Sequence, residues 1–240
     1  MPHIDLNSDV GEGFGAWGGG PDELLVPFLT SVNVACGFHA GDPSTMRRTC
    51  ELAVAHDCVI GAQVSYPDLA GFGRRFMDMQ HDDLRDAVLY QLGALDAMAG
   101  TVDSALQYVK PHGALYNAIV RHDDQAQAVV AAVLDYDDSL PLLGLPDSAI
   151  QAACDRAGIR FVAEGFADRA YTAEGTLVPR TQPGALLTDP DAAAAQALRL
   201  ADSGVQSICV HSDTPGAPEL LIAVVEALGR AGWEPRPFVS

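Results

Sequence analysis

Lys110 is the only lysine in the chain, against thirteen arginines, so it departs from this sequence's ordinary way of placing positive charge. It closes an apolar run and is followed by Pro111-His112-Gly113. An ammonium there can act as a compact point charge toward an oxyanion or phosphate, or titrate as arginine cannot. The plainer alternative is a snorkelling or ion-paired lysine. His39, His112 and His211 also stand where apolar runs end, whereas His56, His81 and His122 fall in or near helix starts and surface turns. Imidazole can be a general acid, a general base or a metal ligand near neutral pH, or a ring satisfied by a backbone carbonyl. Asp5, Asn7, Asp9 and Glu12 alternate out of the first run toward Gly11 and Gly13, residues that let backbone approach a ligand. Like charges held close push one pKa upward, so Asp9 and Glu12 could supply a base and an acid, although helix capping would explain either singly. Asp9 with His39 also suggests a metal, but no tight His-x-x-x-His spacing supports one, and no metal ligand is assigned. His39 is followed by Ala-Gly-Asp42, which makes Asp42 a candidate beside it.

Anion recognition has its own candidates. Gly71-Phe72-Gly73-Arg74-Arg75 places two arginines on a glycine-rich loop, of which at most one should face a ligand, with Arg74 the candidate. Arg169, in Phe166-Ala167-Asp168-Arg169, is another, and Asp213 after His211 has a standing similar to Asp9.

These residues share a placement. Seven short apolar runs break into clusters of Gly, Asp, Glu, His or Lys that a buried strand could not hold: 5–12, 33–42, 61–68, 110–117, 145–148, 164–169 and 211–213. When parallel strands alternate with helices, their carboxyl ends open onto one face, where groups distant in sequence converge. Strands are expected near 4–8, 32–36, 58–63, 106–111, 140–145, 159–164 and 205–211. Between them lie apolar stripes at helical spacing: Leu84, Val88, Leu92, Leu95; Val129, Val130, Val133, Leu134; and Leu220, Leu221, Val224, Leu228. Asp42-Pro43 reads as an N-cap followed by proline at the first helical position, opening a helix to about Ala55. The expected fold is a single α/β domain over 1–240, a distorted or incompletely closed seven-stranded TIM-like barrel, with an open doubly wound sheet as the alternative. The stretch 165–187 has little periodicity and reads as a long loop over the site.

Composition removes other classes. A formal charge of −18 with no offsetting basic stripe disfavours nucleic acid. No apolar stretch approaches the ~20 residues of a membrane span, and the N-terminus lacks the basic and apolar regions of a signal peptide, so a cytoplasmic protein is expected. Five cysteines without a Cys-x-x-Cys pair fit reduced core thiols. There is no G-x-x-x-x-G-K-[ST] loop, no G-x-G-x-x-G turn after a strand and no G-x-S-x-G elbow, so the chain should not hydrolyse ATP alone or act as a serine hydrolase.

Six blocks, DLNSDVGEGFG from Asp5, NVACGFHAGDP from Asn33, YPDLAGFGRR from Tyr66, VKPHGALYN from Val109, EGFADRAY from Glu164 and ICVHSDTP from Ile208, together resemble the LamB/YcsF family, that of the A component of prokaryotic ATP-dependent 5-oxoprolinase. The resemblance runs along nearly the whole chain. It implies a distorted β/α barrel of the glycoside hydrolase/deacetylase type that works with B and C subunits to turn 5-oxo-L-proline, water and ATP into L-glutamate, ADP and phosphate. On that reading ATP is a co-substrate of the complex, Mg2+ could accompany it, and a homo-oligomer is left open. Lys110 and His112 would stabilise charge on the activated oxygen, Asp9 or Glu12 would orient water, His39 and Asp42 would complete the catalytic group, and Arg74 or Arg169 would hold the substrate carboxylate. Tyr116, Asn117, His211 and Asp213 would complete the substrate site. Two positions depart from the family pattern: Gln63 stands where the family usually carries His, and Ser212 where Gly is usual before Asp213. A metal mechanism needing that histidine loses support, since an amide is a poor substitute for imidazole on a transition metal. Competing readings are a metal-dependent amide or sugar N-deacetylase acting alone, and a noncatalytic component that presents substrate to partners.

Overall fold

The computed structural model describes residues 1–239. Eight parallel strands, β1 (His3–Val10), β2 (Ser31–Ala35), β3 (Val59–Val64), β4 (Tyr108–Pro111), β5 (Leu142–Gly144), β6 (Phe161–Phe166), β7 (Ser207–Cys209) and β8 (Glu234–Pro235), alternate with helices. The first seven close a barrel. β1 spans the seam by pairing its lower half, Asp5 to Asn7, with β7 and its upper half, Asn7 to Val10, with β2. Closure removes the open-sheet alternative and the expectation of incomplete closure. β8, which has no counterpart among the expected strands, lies outside the ring and pairs only with His3 and Ile4 at the amino end of β1.

The covering helices are α1 (Asp22–Leu25), α2 (Pro43–Ala55), α3 (His81–Gly100), α4 (Gly113–Ala118), α5 (Asp123–Tyr136), α6 (Ala149–Ala157), α7 (Pro190–Ser203) and α8 (Ala217–Arg230). Their boundaries follow local chemistry. Asp42 accepts from the backbone N–H groups of Ser44 and Thr45 ahead of Pro43, and Asp189 does the same for Ala192 ahead of Pro190. Gly158 and Gly204 end α6 and α7 in the left-handed conformation. The expected stripes of α3 and α8 are buried against the barrel; on α5, Val129, Val130 and Val133 are buried but Leu134 points to solvent, one step off the stripe. All five cysteines are free and buried.

Alternate residues of each strand point into the barrel, where they stack in layers. On β1 those inward positions are Asp5, Asn7 and Asp9, so a column of polar groups runs the length of the interior. At the bottom, Asp5 accepts from Thr30 Oγ1 (2.6 Å), Ser31 Oγ (2.5 Å) and Ser207 Oγ. In the middle, Asn7 donates to Ser207 Oγ (2.7 Å) and Glu164 Oε1 (3.0 Å) and accepts from Asn33, whose own oxygen accepts from the Tyr108 hydroxyl (2.7 Å). Tyr108 can cross the interior because Gly61, its neighbour on β3, has no side chain; a Cβ there would come within 2.1 Å of the phenol ring. Asp5 is expected with the loop chemistry of the first strand's end; it sits instead at the barrel floor.

Burial raises the Asp5 pKa to about 6, the three hydroxyls pulling the other way. A carboxyl whose pKa is raised on folding binds more protons native than unfolded between 3.8 and about 6, so its contribution to stability falls as pH rises through that window. Asp5→Asn should therefore gain roughly 3 kcal/mol relative to the parent between pH 4 and 6.5 in urea unfolding. A difference independent of pH would contradict the assignment.

Candidate active site

The carboxyl ends of the strands open on a cavity of about 620 Å3, a size suited to a small molecule. Asp9, Lys110, His112 and Tyr116 line its buried side, and Arg74, Asn117 and Arg180 its exposed side. The long segment after β6 arches over it, contributing Arg169, Leu177, Pro179 and Arg180.

Lys110, at the end of β4, is 2% exposed. Its Nζ lies 2.6 Å from Glu164 Oε1, 2.9 Å from Asn7 Oδ1, 3.2 Å from Cys209 Sγ and 3.3 Å from Asp9 Oδ1. Three N–H groups thus meet four acceptors within the protein, which leaves none for a ligand. Burial alone would lower the lysine pKa, but the charge of Asp9, with Cys209 and Glu164, outweighs it and holds the ammonium well above the ordinary lysine value. The same pairing works in reverse on Asp9. Its burial favours the neutral acid, yet Lys110 and then the histidines keep the carboxyl well below the usual range. Tyr116 donates its hydroxyl to Glu164 Oε2 at 3.0 Å.

Behind His112 lies a second cluster centred on Gln63. The Gln63 amide nitrogen is 2.8 Å from Glu12 Oε1 and 2.8 Å from His112 Nδ1, and its oxygen is 3.1 Å from His39 Nε2. This network makes His112 an acceptor at Nδ1 and a donor at Nε2, where Phe72 O waits at 3.1 Å. The two imidazoles stack at 4.0 Å between centroids, with the Phe72 ring edge-on to both. Gly73, at φ +66°, lets this loop cross the stack, since a Cβ would meet Ser65, His112 and His39. Glu12, His39 and His112 could hold a divalent cation, as one ligand atom from each lies within 4.8 Å of the others. As arranged, a Gln63 N–H already takes the one lone pair of His112 Nδ1 that a cation would need, so a metal bound there would have to displace that amide, while Glu12 keeps acceptor sites to spare.

At the mouth, Asp213 is shared by two arginines, Arg74 and Arg180, the latter at 3.0 and 3.1 Å. Burial would raise its pKa, but their charges, Arg180's first, hold it low. At the end of β7, His211 Nδ1 lies 3.0 Å from both oxygens of the fully buried Asp168.

The structure thus gathers Asp9, Arg74, Lys110, His112, Tyr116, Asn117, Arg169 and His211 around one cavity. Glu12 and His39 stand behind His112 without lining it. Asp213 bonds the two mouth arginines. Asp42 belongs elsewhere: besides Ser44 and Thr45 its carboxylate accepts from the Gly15 N–H at 3.0 Å, which spends it on the start of α2. Arg169 lines the cavity, yet donates to Ala185 O (3.3 Å) and Val178 O (2.7 Å), tying down the overlying loop. Arg75 pairs with Asp68, and of the two arginines only Arg74 lines the cavity. Three participants are not among the site residues singled out from the sequence: Glu164, Asp168 and Arg180. The first two end a strand in the manner of Asp9, which is the available signal; for Arg180 the signal is only its place in the long segment read as covering the site.

A closed parallel barrel with a cavity at the carboxyl ends of its strands, apolar in most of its lining but set with ionisable side chains, defines the molecule as a β/α-barrel protein. The LamB/YcsF family model matches residues 4–240, and the chain belongs to that family. It is 53% identical to the A component of 5-oxoprolinase from Kocuria rhizophila, over 99% of this chain and 100% of that one. A lactam utilization protein from Thermus thermophilus superposes with a TM-score of 0.93 at 41% identity, over 98% of this chain and 100% of that one. A Bacillus cereus polysaccharide deacetylase shares the fold, with a TM-score of 0.52 at 11% identity over 99% of this chain and 92% of its own.

Gln63 is the hub of the second cluster, and its removal strands three buried polar groups at once. Gln63→Leu should cost about 3 kcal/mol of unfolding free energy. A loss below roughly 1 kcal/mol would mean that Glu12, His39 and His112 are satisfied without it.

Proposed function

We propose that this chain is the A component of an ATP-dependent 5-oxoprolinase, a cytoplasmic single-domain barrel that binds 5-oxo-L-proline and opens its lactam while B and C subunits handle the nucleotide. One observation carries the reading. Two arginines share a single aspartate at the mouth of a cavity whose buried side holds Asp9 and Lys110, in a chain closely similar to a lactam utilization protein.

Arg74 and Arg180 against Asp213 alone leave an excess positive charge at the mouth, which suits the substrate carboxylate. The lactam then reaches toward the buried side. Lys110, with its N–H groups spent, acts through its charge and by keeping Asp9 ionised. Asp9 faces the cavity as an acceptor able to orient water or the ring N–H. An unstrained amide is a poor electrophile, which is why activation by ATP is part of the reading. The chain has no phosphate loop, so nucleotide and its Mg2+ are assigned to the partners. No step is routed through a metal in this chain, given the Gln63 amide among the candidate ligands. The second reading, a metal-dependent deacetylase acting alone, draws on the Glu12, His39 and His112 group. Chelator-sensitive amide hydrolysis without ATP would favour it.

Glutamate release from 5-oxoproline, measured with this chain and its candidate B and C subunits and with each component and ATP omitted in turn, tests the proposal. Release should require this chain and ATP together; release undiminished without this chain would refute it. Within the active complex, Arg180→Ala removes a charge-assisted contact and should raise KM for 5-oxoproline by roughly tenfold or more, with a smaller change in kcat. An unchanged KM would remove Arg180 from the carboxylate site.

A further inference from the structure

Ring opening of a lactam needs a proton moved to the leaving nitrogen, and most polar groups around the cavity cannot supply it. Lys110 spends its protons on acceptors of the barrel, and Asp9 is held ionised. His112 uses both ring nitrogens, on Gln63 and on Phe72 O, and His39 has no exposed surface. The Tyr116 hydroxyl is committed to Glu164, and burial with that negative neighbour pushes its pKa well above the usual value. Arg74 and Arg180 do not titrate in proteins.

His211 is different. Its Nδ1 and its backbone N–H (3.2 Å) both face the Asp168 carboxylate, which also accepts from Thr214 Oγ1 at 2.5 Å. The Phe166 ring stacks on the imidazole at 5.0 Å and 13°. Orientation and tautomer follow: Nδ1 carries a proton for Asp168, and the ring is fixed in plane. Among the described residues no group bonds Nε2, and His211 lines the cavity. Asp9 lines the same space.

We propose that His211 is the general acid–base residue of this cavity and that Asp168 is its positioning residue, an assignment that rests on the lactam-opening function above. Nε2 takes a proton from water as the water oxygen bonds to the lactam carbonyl carbon. The resulting Nε2–H gives that proton to the ring nitrogen as the carbon–nitrogen bond breaks and its electron pair stays on nitrogen. An amine and an acyl group that still carries the activating phosphoryl on its oxygen result; a second water releases that phosphoryl as phosphate and leaves the carboxylate, His211 returns to its starting state, and no redox partner is involved. Asp168 stabilises the transient imidazolium and keeps Nε2 as the atom facing the substrate.

The test uses the full complex and two substitutions at the histidine. His211→Asn retains a polar group for Asp168 while removing Nε2, and His211→Gln is a second shape in case the first unfolds; thermal melts confirm the fold of each. Glutamate release should fall by about 10²- to 10⁴-fold in kcat with little change in KM for 5-oxoproline, and one limb of the pH profile of kcat/KM should disappear. Asp168→Asn should lower kcat, displace that limb toward lower pH and change the His211 tautomer in ¹⁵N-detected NMR of this chain, readouts that a merely structural carboxylate would leave alone. Folded His211 variants within about fivefold of the parent, with the pH profile intact, overturn the acid–base assignment and leave the lactam reading standing. Absence of lactam turnover by the parent complex overturns both.

Discussion

One buried ammonium organises this barrel. Lys110 brings a full positive charge to a place almost sealed from water, and the fold tolerates it because two carboxylates and an amide reach it from other strands. Taking such charges out of water costs several kcal/mol each, so the arrangement persists only while every partner is present. That requirement explains the inward face of β1. Asp9 pairs with the ammonium, Asn7 bridges it to Glu164 and Ser207, and Asp5 anchors the column at the base. Around the cavity, the consequence is a lysine kept charged and an aspartate kept ionised before any ligand arrives.

The chemical division of labour follows from what that column leaves free. A lysine with no spare N–H and an aspartate kept ionised supply field and acceptor, not protons. On the proposed function, the paired arginines at the mouth are assigned the selection of an anion, and the imidazole that follows β7 is assigned the exchangeable proton. Gln63 shows a different solution behind the wall. A neutral amide, unable to titrate, bonds a glutamate and one ring nitrogen of each of two histidines, so the group that looks most like a metal centre is bridged by hydrogen bonds, with His39 Nδ1 left unpartnered among the described residues.

Much of this is legible in the sequence because strands of a parallel barrel advertise their carboxyl ends. Lys110, His112, His211 and Asp9 stand out by breaking apolar runs, and each reaches the cavity. The α2 start is equally plain, since an Asp-Pro pair has a local physical meaning; the same observation removes Asp42 from the chemistry, because its carboxylate cannot cap a helix and serve a distant site. What escapes depends on contacts between residues far apart in the chain. Asp5 reads like Asp9 by spacing, yet their depths in the barrel differ by two inward layers. Arg169 and Arg180 share a loop, and only the folded loop reveals that the first is spent on backbone carbonyls while the second meets Asp213. β8 has two residues and no periodicity to find.

The dependence of the barrel on its buried ammonium is best tested by a thermodynamic cycle on Lys110→Met, Glu164→Gln and the double variant, with unfolding free energies from urea titration. The account predicts about 3–5 kcal/mol lost on Lys110→Met, which strands Asp9 and Glu164, and a double variant less destabilised than the sum of the singles by roughly 1–3 kcal/mol. Additive effects, with the lysine substitution costing under about 1 kcal/mol, would contradict it.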